Sequence, residues 1–146
     1  MAAVNFFNET TEKVVLTENE LEQIAALIFM DYSLVLQSLN VILLSDEELH
    51  SMNVEYLGHD DYTDIITFDY SEEKDSKSVE GELYISLDRI MDNAGKFGVP
   101  TREELLRVVI HGCLHLCGIP DKVKKERKVM QGLEDKYLKE IVSRET

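Results

Sequence analysis

The chain has 146 residues and a formal net charge of −14, with 44% hydrophobic and 30% charged residues. This length and balance predict one globular domain, residues 1–146, with a buried hydrophobic core. The negative charge argues against broad nucleic-acid binding, because phosphate backbones are held mainly by Lys and Arg. It does not exclude a local basic patch, for which the candidate residues are Lys122, Lys124, Lys125, Arg127 and Lys128.

No apolar run approaches the roughly 18 residues that span a bilayer. The segment Met1 to Asn8 also lacks the basic and long apolar regions of a secretory signal. The expectation is a cytoplasmic protein without a membrane partner. Cys113 and Cys117 lie in one short segment and make a poor disulfide framework, so a reducing compartment suits them.

The first half of the chain alternates strands and helices. Val4–Phe7 is predicted as a short strand, and Thr17–Glu20 forms a capping box that opens a helix. Leu39–Leu44 is an apolar run typical of a strand. Ser45–Glu48 is a second capping box, and the helix that it opens is predicted to run through Met52.

The second half begins with a predicted hairpin. Thr63–Tyr70 and Gly81–Leu87 are rich in β-branched and aromatic residues, which predicts two strands. The charged run Ser71–Glu80 between them is interpreted as a solvated hairpin loop. Asp88–Phe97 then indicates a short helix.

Two further helices complete the chain. Pro100–Glu104 is interpreted as a third capping box, and the helix after it runs to about Cys117. That helix is apolar nearly all round, which indicates a central position. Gly118 ends it, and a charged helix follows over roughly Val123–Val142. The order predicts an α+β domain with a small mixed four-stranded sheet and about five helices packed on it.

The segment from His111 to Asp121 carries the chemistry. His111 and His115 are four residues apart, so on a helix their imidazoles point the same way and suit one metal ion. The helix stops at Gly118, and Asp121 can then supply a third ligand. Three protein ligands leave one position open, as in catalytic zinc sites. One zinc ion per chain is expected, although nickel, iron or another divalent transition metal fits the same ligands.

The ligand spacing also matches the long zinc motif of the metzincin proteases. Gly112 stands where those proteases carry the Glu that serves as general base, so a protease mechanism would lack its base. Cys113 lies roughly 200° around the helix from His111 and His115. Both cysteines are therefore predicted to be small buried hydrophobic side chains rather than ligands.

Two further residues near this segment are candidates for catalysis. Arg107 lies one turn before His111, where it either contacts an anionic substrate or forms a surface pair with Glu103. His59 lies in the loop Gly58-His59-Asp60-Asp61 and is either a catalytic group or an exposed turn residue.

Three segments together resemble the YbeY family. His111–Gly118 (HGCLHLCG) is similar to the start of its H-G-x-L-H-L-x-G-x-D-H motif. Asn53–Tyr56 followed by Thr63–Phe68 is similar to its N-x-x-Y/F-R and T-D-V-L-S-F segments, and Gly81–Ser86 to its G-D-I-x-I-S strand. The matches keep the family's order across about residues 50–130.

The resemblance implies a single α/β domain that binds zinc and acts as a single-strand-specific endoribonuclease. It implies a role in ribosomal RNA maturation, notably at the 3′ end of the small-subunit RNA, and in ribosome quality control. The implied partners are ribosomal RNA and the small ribosomal subunit or an assembly factor, and not DNA. The oligomeric state and the cleavage site stay open.

The chain departs from the family pattern at two positions. The family's third His falls on Asp121, which remains a competent metal ligand. The family's Arg after the aromatic residue falls on Leu57, where a natural phosphate ligand is lost unless Arg107, Lys122 or His59 replaces it.

In the expected mechanism, the metal ion lowers the pKa of water and stabilises charge on a phosphoryl oxygen. No general acid or base can be named from the sequence. Lys122, Lys124 and Lys125 lie beside the ligands and are expected to hold the RNA backbone. The competing hypothesis is a non-catalytic, metal-stabilised module that binds the ribosome or an assembly factor.

Overall fold

The computed structural model describes residues 3–71 and 77–144. Along these residues the elements follow in the order β1 (Val4–Asn8), α1 (Glu18–Asp31), β2 (Val35–Leu44), α2 (Asp46–Leu57), β3 (Ile65–Asp69), β4 (Ser78–Ser86), α3 (Leu87–Phe97), α4 (Thr101–Leu116) and α5 (Lys124–Arg144). No helix among them is both long enough and apolar enough to cross a membrane.

The strands form one mixed four-stranded sheet in the order β1-β2-β4-β3. β1 and β4 both run parallel to β2, whereas β3 runs antiparallel to β4. The predicted α+β class with a mixed sheet is therefore confirmed, and so is the β3–β4 hairpin. Of the predicted loop Ser71–Glu80, residues 72–76 lie outside the described residues, and Ser78 to Glu80 belong to β4.

β2 and α2 are each several residues longer than the sequence predicts. β2 starts at Val35 rather than Leu39, because its first residues pair with the start of β4 while staying largely exposed. An exposed stretch contains no run of apolar residues from which a strand could be predicted. α2 continues past Met52 to Leu57 and ends where Gly58 adopts a left-handed conformation with φ 68°.

The three predicted capping boxes have three outcomes. The box of Ser45 and Glu48 is complete, with both reciprocal hydrogen bonds present. At α1, Thr17 accepts from the Glu20 amide, but the Glu20 carboxylate pairs with Arg102 at 2.7 Å.

The prediction of a third capping box at the start of α4 was wrong. Pro100 is the N-cap and has no side-chain cap, so Thr101 is already helical. The Glu104 amide bonds to the Pro100 carbonyl, and the Glu104 side chain is buried instead of turning back to the helix start.

The main core places α4 at the centre, as predicted. α4 contacts α1, α3, α5, β3 and β4, and its side chains Leu105, Val109 and Leu114 are fully or almost fully buried. Gly112 faces the sheet at Leu83 of β4. A smaller cluster under α2 covers part of the opposite sheet face. α4 is therefore held from several sides, which makes it a rigid support for His111 and His115.

Candidate metal centre

His111 and His115 project from the last two turns of α4, and Asp121 reaches them from the connection to α5. α4 ends at Leu116, and Gly118 takes a left-handed conformation with φ 91°. The Gly118 amide donates to the His115 carbonyl at 2.9 Å, which closes the helix end. The chain then reverses, and Asp121 faces the two histidines, as the sequence predicted.

The three side chains bring their ligand atoms together in a nearly equilateral triangle. His111 Nε2 lies 3.0 Å from His115 Nε2 and 3.3 Å from Asp121 Oδ2. His115 Nε2 lies 3.2 Å from the same Asp121 oxygen. The group can therefore hold a metal ion.

The size of this triangle fits a small divalent transition metal. Tetrahedral coordination with bonds of about 2.0–2.1 Å separates ligand atoms by roughly 3.3 Å. The observed separations of 3.0, 3.2 and 3.3 Å are close to that value. Two imidazole nitrogens and one carboxylate oxygen also match the ligand preference of such ions. The donor set and its geometry both fit a metal cofactor.

Glu134 of α5 completes the surroundings of His111. The Nδ1–H of His111 donates to Glu134 Oε2 at 2.6 Å, and Glu134 is buried, at 9% exposure. A carboxylate on Nδ1 fixes the ring orientation and places the free lone pair on Nε2, the atom that faces the ligand triangle. Glu134 was not predicted from the sequence.

The surroundings of His111 also change its proton affinity. Burial alone would lower the pKa of His111, but the hydrogen bond and charge of Glu134, together with Asp121 and Asp64, outweigh burial and raise it. The metal-binding form of the ring is neutral, so a metal ion has to compete with a proton for this site.

Arg107 lies beside this arrangement and is tied to α5. Its Nη1 is 3.3 Å from Glu134 Oε1, and its Nη2 is 2.7 Å from Asp135 Oδ1. These ion pairs cross to the neighbouring helix, whereas the predicted alternative to substrate contact was a pair with Glu103 along α4. Burial would lower the pKa of Arg107, but these carboxylates raise it.

The ligand triangle lies in an open cleft of about 700 Å³ between α4, β3 and the loop after α2. Leu57 and His59 both line it, and His59 is exposed. Its acidic lining residues are Asp61, Asp64, Asp69, Glu104, Asp121 and Glu134. Among the described lining residues, the sole Lys or Arg is Arg107. The cleft is therefore strongly negative unless a cation occupies it.

Two of these carboxyl groups have altered proton affinity. Burial raises the pKa of Asp64, against the opposing charge of His111. Burial likewise raises the pKa of Glu104, against the charge of Arg107. Raised carboxyl pKa values within a cleft are typical of functional sites.

The predicted basic residues lie outside the cleft lining. Lys122, Lys124, Lys125 and Lys128 are exposed, and Arg127 donates to the Lys122 carbonyl at 2.7 Å. Lys122 directly follows Asp121 in the chain. The basic segment therefore adjoins the ligand triangle at the start of α5.

The cysteines behave as the sequence predicted. Cys113 is fully buried, Cys117 is partly buried, and both are free thiols. Burial raises the pKa of Cys113, and it raises the pKa of Cys117 to about 12. Neither thiol belongs to the ligand group.

A sequence signal for Glu134 exists in the periodicity of α5. Met130, Leu138 and Ile141 form a buried stripe, and Glu134 occupies the same stripe between them. A charged residue on the apolar stripe of a helix requires a buried partner. Here the partners are His111 and Arg107.

Comparisons with known proteins agree with the site. A family model described as "Endoribonuclease YbeY" matches residues 5–142. A protein named Endoribonuclease YbeY from Bacteroides thetaiotaomicron is 52% identical over 97 residues, which are 66% of this chain and 69% of that protein. A protein of the same name from Azobacteroides pseudotrichonymphae is 46% identical over 116 residues, or 80% of this chain and 81% of that protein.

The fold has a similar solved structure as well. The solution structure of a Thermotoga maritima protein matches with a TM-score of 0.65 and 32% sequence identity, covering 97% of this chain and 90% of that one. The family model spans nearly all of the described residues, including both histidines and Asp121. The chain belongs to the endoribonuclease YbeY family.

Proposed function

We propose that this chain is a zinc-dependent endoribonuclease that cleaves single-stranded ribosomal RNA during maturation of the small-subunit RNA 3′ end. The observation that carries the proposal is the convergence of His111, His115 and Asp121, whose ligand atoms lie 3.0–3.3 Å apart in an open cleft. The name endoribonuclease, carried by the relatives, supports the reaction class.

The residues of the cleft have distinct parts in this proposal. His111, His115 and Asp121 hold the ion, and a bound zinc ion supplies Lewis acidity that activates water and stabilises phosphoryl charge. Asp64 and Glu104 line the same cleft, and their raised pKa values suit them to proton transfer. A general base at position 112 is not available, because Gly112 faces the core.

The RNA backbone is held by the basic segment at the start of α5 in this proposal. Lys122, Lys124 and Lys125 are exposed beside the ligand triangle, whereas the cleft itself is lined with carboxylates. Phosphates near the rim are therefore attracted, and phosphates deep in the cleft are repelled unless the metal ion neutralises them. The site of action is the cytoplasm, at the small ribosomal subunit or with an assembly factor, and the role extends to ribosome quality control.

A second candidate is a non-catalytic module that binds ribosomal particles and uses the metal for stability. The acidic cleft favours it, since Leu57 occupies the position of a phosphate-binding Arg and Arg107 is engaged by Glu134 and Asp135. The two candidates differ in turnover. The module would co-sediment with ribosomal particles and leave their RNA intact.

The test combines metal content with cleavage. Untagged protein is equilibrated with zinc, freed of excess and analysed for metal per chain, and then incubated with a labelled single-stranded RNA from the small-subunit 3′ end and with its duplex form. About one zinc per chain and cleavage of the single strand alone would support the enzyme. Intact RNA with zinc bound would favour the module, and absence of zinc would overturn both.

His115→Ala is the site variant for this test, and His50→Ala is its matched control. His50 lies outside the ligand group, where it stacks on Tyr62 at 4.1 Å. The enzyme proposal expects His115→Ala to lose zinc and cleavage with its fold retained, and His50→Ala to keep both. Loss of the fold in His115→Ala would indicate a structural metal site instead.

A further inference from the structure

A chain of charged contacts runs from α5 into the metal centre through Arg107. Arg107 Nη1 contacts Glu134 Oε1 at 3.3 Å, and Glu134 Oε2 contacts His111 Nδ1 at 2.6 Å. Glu134 thus uses one oxygen for each neighbour. Arg107 is also anchored independently, since its Nη2 lies 2.7 Å from Asp135.

Glu134 needs such an anchor because of where it lies. It is a flexible side chain on the neighbouring helix, and it is 9% exposed, so its carboxylate is largely removed from water. A buried carboxylate is stable in its ionised form only with donors on its oxygens. Arg107 supplies the donor on the oxygen that His111 does not use, and it also neutralises charge.

The contacts of Arg107 also bear on whether it is free to bind RNA. Both of its terminal nitrogens already face carboxylates, and the shorter contact, at 2.7 Å, is to Asp135. A phosphate would have to displace these partners in a cleft lined with further acidic side chains. Such an arginine is better suited to hold a protein group in place than to collect an anion.

We propose that Arg107 is a positioning residue of the metal centre: it fixes Glu134, and through Glu134 it fixes the orientation and tautomer of His111. The inference rests on the proposed metal site. In it, Arg107 supports metal binding and does not contact the RNA. Removal of Arg107 therefore weakens metal binding in the absence of any RNA. Loss of a carboxylate partner of a metal-binding histidine typically lowers metal affinity by about 10–100-fold.

The test measures zinc affinity by competition with a chromogenic chelator, without RNA. Arg107→Met is compared with Arg102→Met, a matched control on the same helix. The two arginine side chains are 30% and 29% exposed, and each has a carboxylate partner at 2.7 Å. We expect about a tenfold loss of affinity for Arg107→Met and an unchanged affinity for Arg102→Met.

A double-mutant cycle with Glu134→Gln separates positioning from a general structural effect. Because Arg107 acts through Glu134, the double variant should bind zinc no more weakly than Glu134→Gln alone. Nitrogen NMR of the metal-free proteins, recorded at a pH above the raised pKa of His111 so that the ring is neutral, gives a second readout: His111 should be protonated at Nδ1 in the wild type and divided between tautomers in Arg107→Met. If Arg107→Met does not fold, Arg107→Lys takes its place in the cycle, with a smaller loss expected.

The outcomes distinguish this inference from the proposal on which it rests. Wild-type protein that binds no zinc would overturn the metal site itself. Wild-type affinity in the folded Arg107 variant, additive losses in the cycle or an unchanged His111 tautomer would overturn the positioning role alone. A variant that binds zinc normally and loses only RNA affinity would indicate that Arg107 contacts the RNA substrate instead.

Discussion

Gly112 of α4 packs directly against Leu83 of β4, and a β-carbon built on Gly112 would lie 2.7 Å from Leu83 Cδ2. The same β-carbon would lie 2.9 Å from Ile65 Cδ1. The residue that follows His111 therefore lies in close contact with the sheet. This close packing explains why a Glu at position 112, where metzincin proteases carry one, would have no room.

Gly112→Ala is expected to destabilise the protein by about 1–3 kcal/mol, because the added carbon overpacks the contact with the side-chain methyl groups of Leu83 and Ile65. Gly132→Ala is the matched control, since nothing lies within 4 Å of the added carbon and the residue is in the middle of α5. The control should stabilise by about 0.5–1 kcal/mol. Urea unfolding measures both, and equal effects in the two variants would contradict the close approach.

Asp121→Ala should lose zinc or bind it far more weakly, because two imidazoles alone leave the ligand triangle incomplete. Asp121→His should retain about one zinc per chain, since imidazole is an equally competent ligand. Elemental analysis after removal of excess metal measures both. A wild-type zinc content in Asp121→Ala would show that the carboxylate is not a ligand.

Glu104→Gln should stabilise the protein at neutral pH. Burial raises the pKa of Glu104 above 4.5, so the folded state binds this proton more tightly than the unfolded chain does. Its contribution to the free energy of unfolding is therefore present at low pH and is lost as pH rises through the raised pKa. The advantage of the Gln variant should be largest at pH 7 and shrink towards pH 4 in urea titrations. A difference independent of pH would contradict this origin.

The two thiols should react slowly in the folded protein. The pKa of Cys117 is raised from 9.0 to about 12, which lowers its thiolate fraction at pH 8 by about a thousandfold. Cys113 is fully buried, which also protects its thiol from reagents. Mass spectrometry after iodoacetamide treatment should find little alkylation in native protein and two modified cysteines in urea. Rapid native alkylation of Cys117 would contradict its raised pKa.

Replacing Lys122, Lys124 and Lys125 together by Ala should weaken RNA binding and flatten its salt dependence. Each lost phosphate contact reduces the slope of log affinity against log salt by about 0.7 for a single strand. A variant with Lys13, Lys96 and Lys139 replaced removes the same charge from other exposed positions. Equal losses in the two triple variants would show that net charge, rather than the basic segment, decides binding.

The metal ligands could be predicted from the sequence, whereas the residue that orients one of them could not. His111 and His115 could be paired from their spacing, and Asp121 followed from the helix stop at Gly118, because these relations are local. Glu134 lies 23 residues from His111, so only the packing of α5 on α4 brings the two together. The place of Glu134 on the apolar stripe of α5 indicates a buried partner, but it does not identify that partner as His111.

The misassigned elements have the same origin. The early residues of β2 are exposed and become a strand only through their pairing with β4. Thr101 and Glu104 have the spacing of a capping box, but Glu104 is drawn into the cleft beside Arg107. In both cases a tertiary partner overrode the local pattern, which a single sequence does not reveal.

The order of the site's residues along the chain determines when the metal site can form during synthesis. Arg107, His111 and His115 are synthesised before Asp121, and Glu134 follows later in α5. A nascent chain that stops short of residue 134 therefore holds two imidazoles without the carboxylate that orients one of them. For a nuclease directed at ribosomal RNA, as we propose here, this order would keep the metal site incomplete until α5 has been synthesised. Chains stalled before and after α5 should therefore differ in zinc retention, because only the longer chain carries the carboxylate that orients His111.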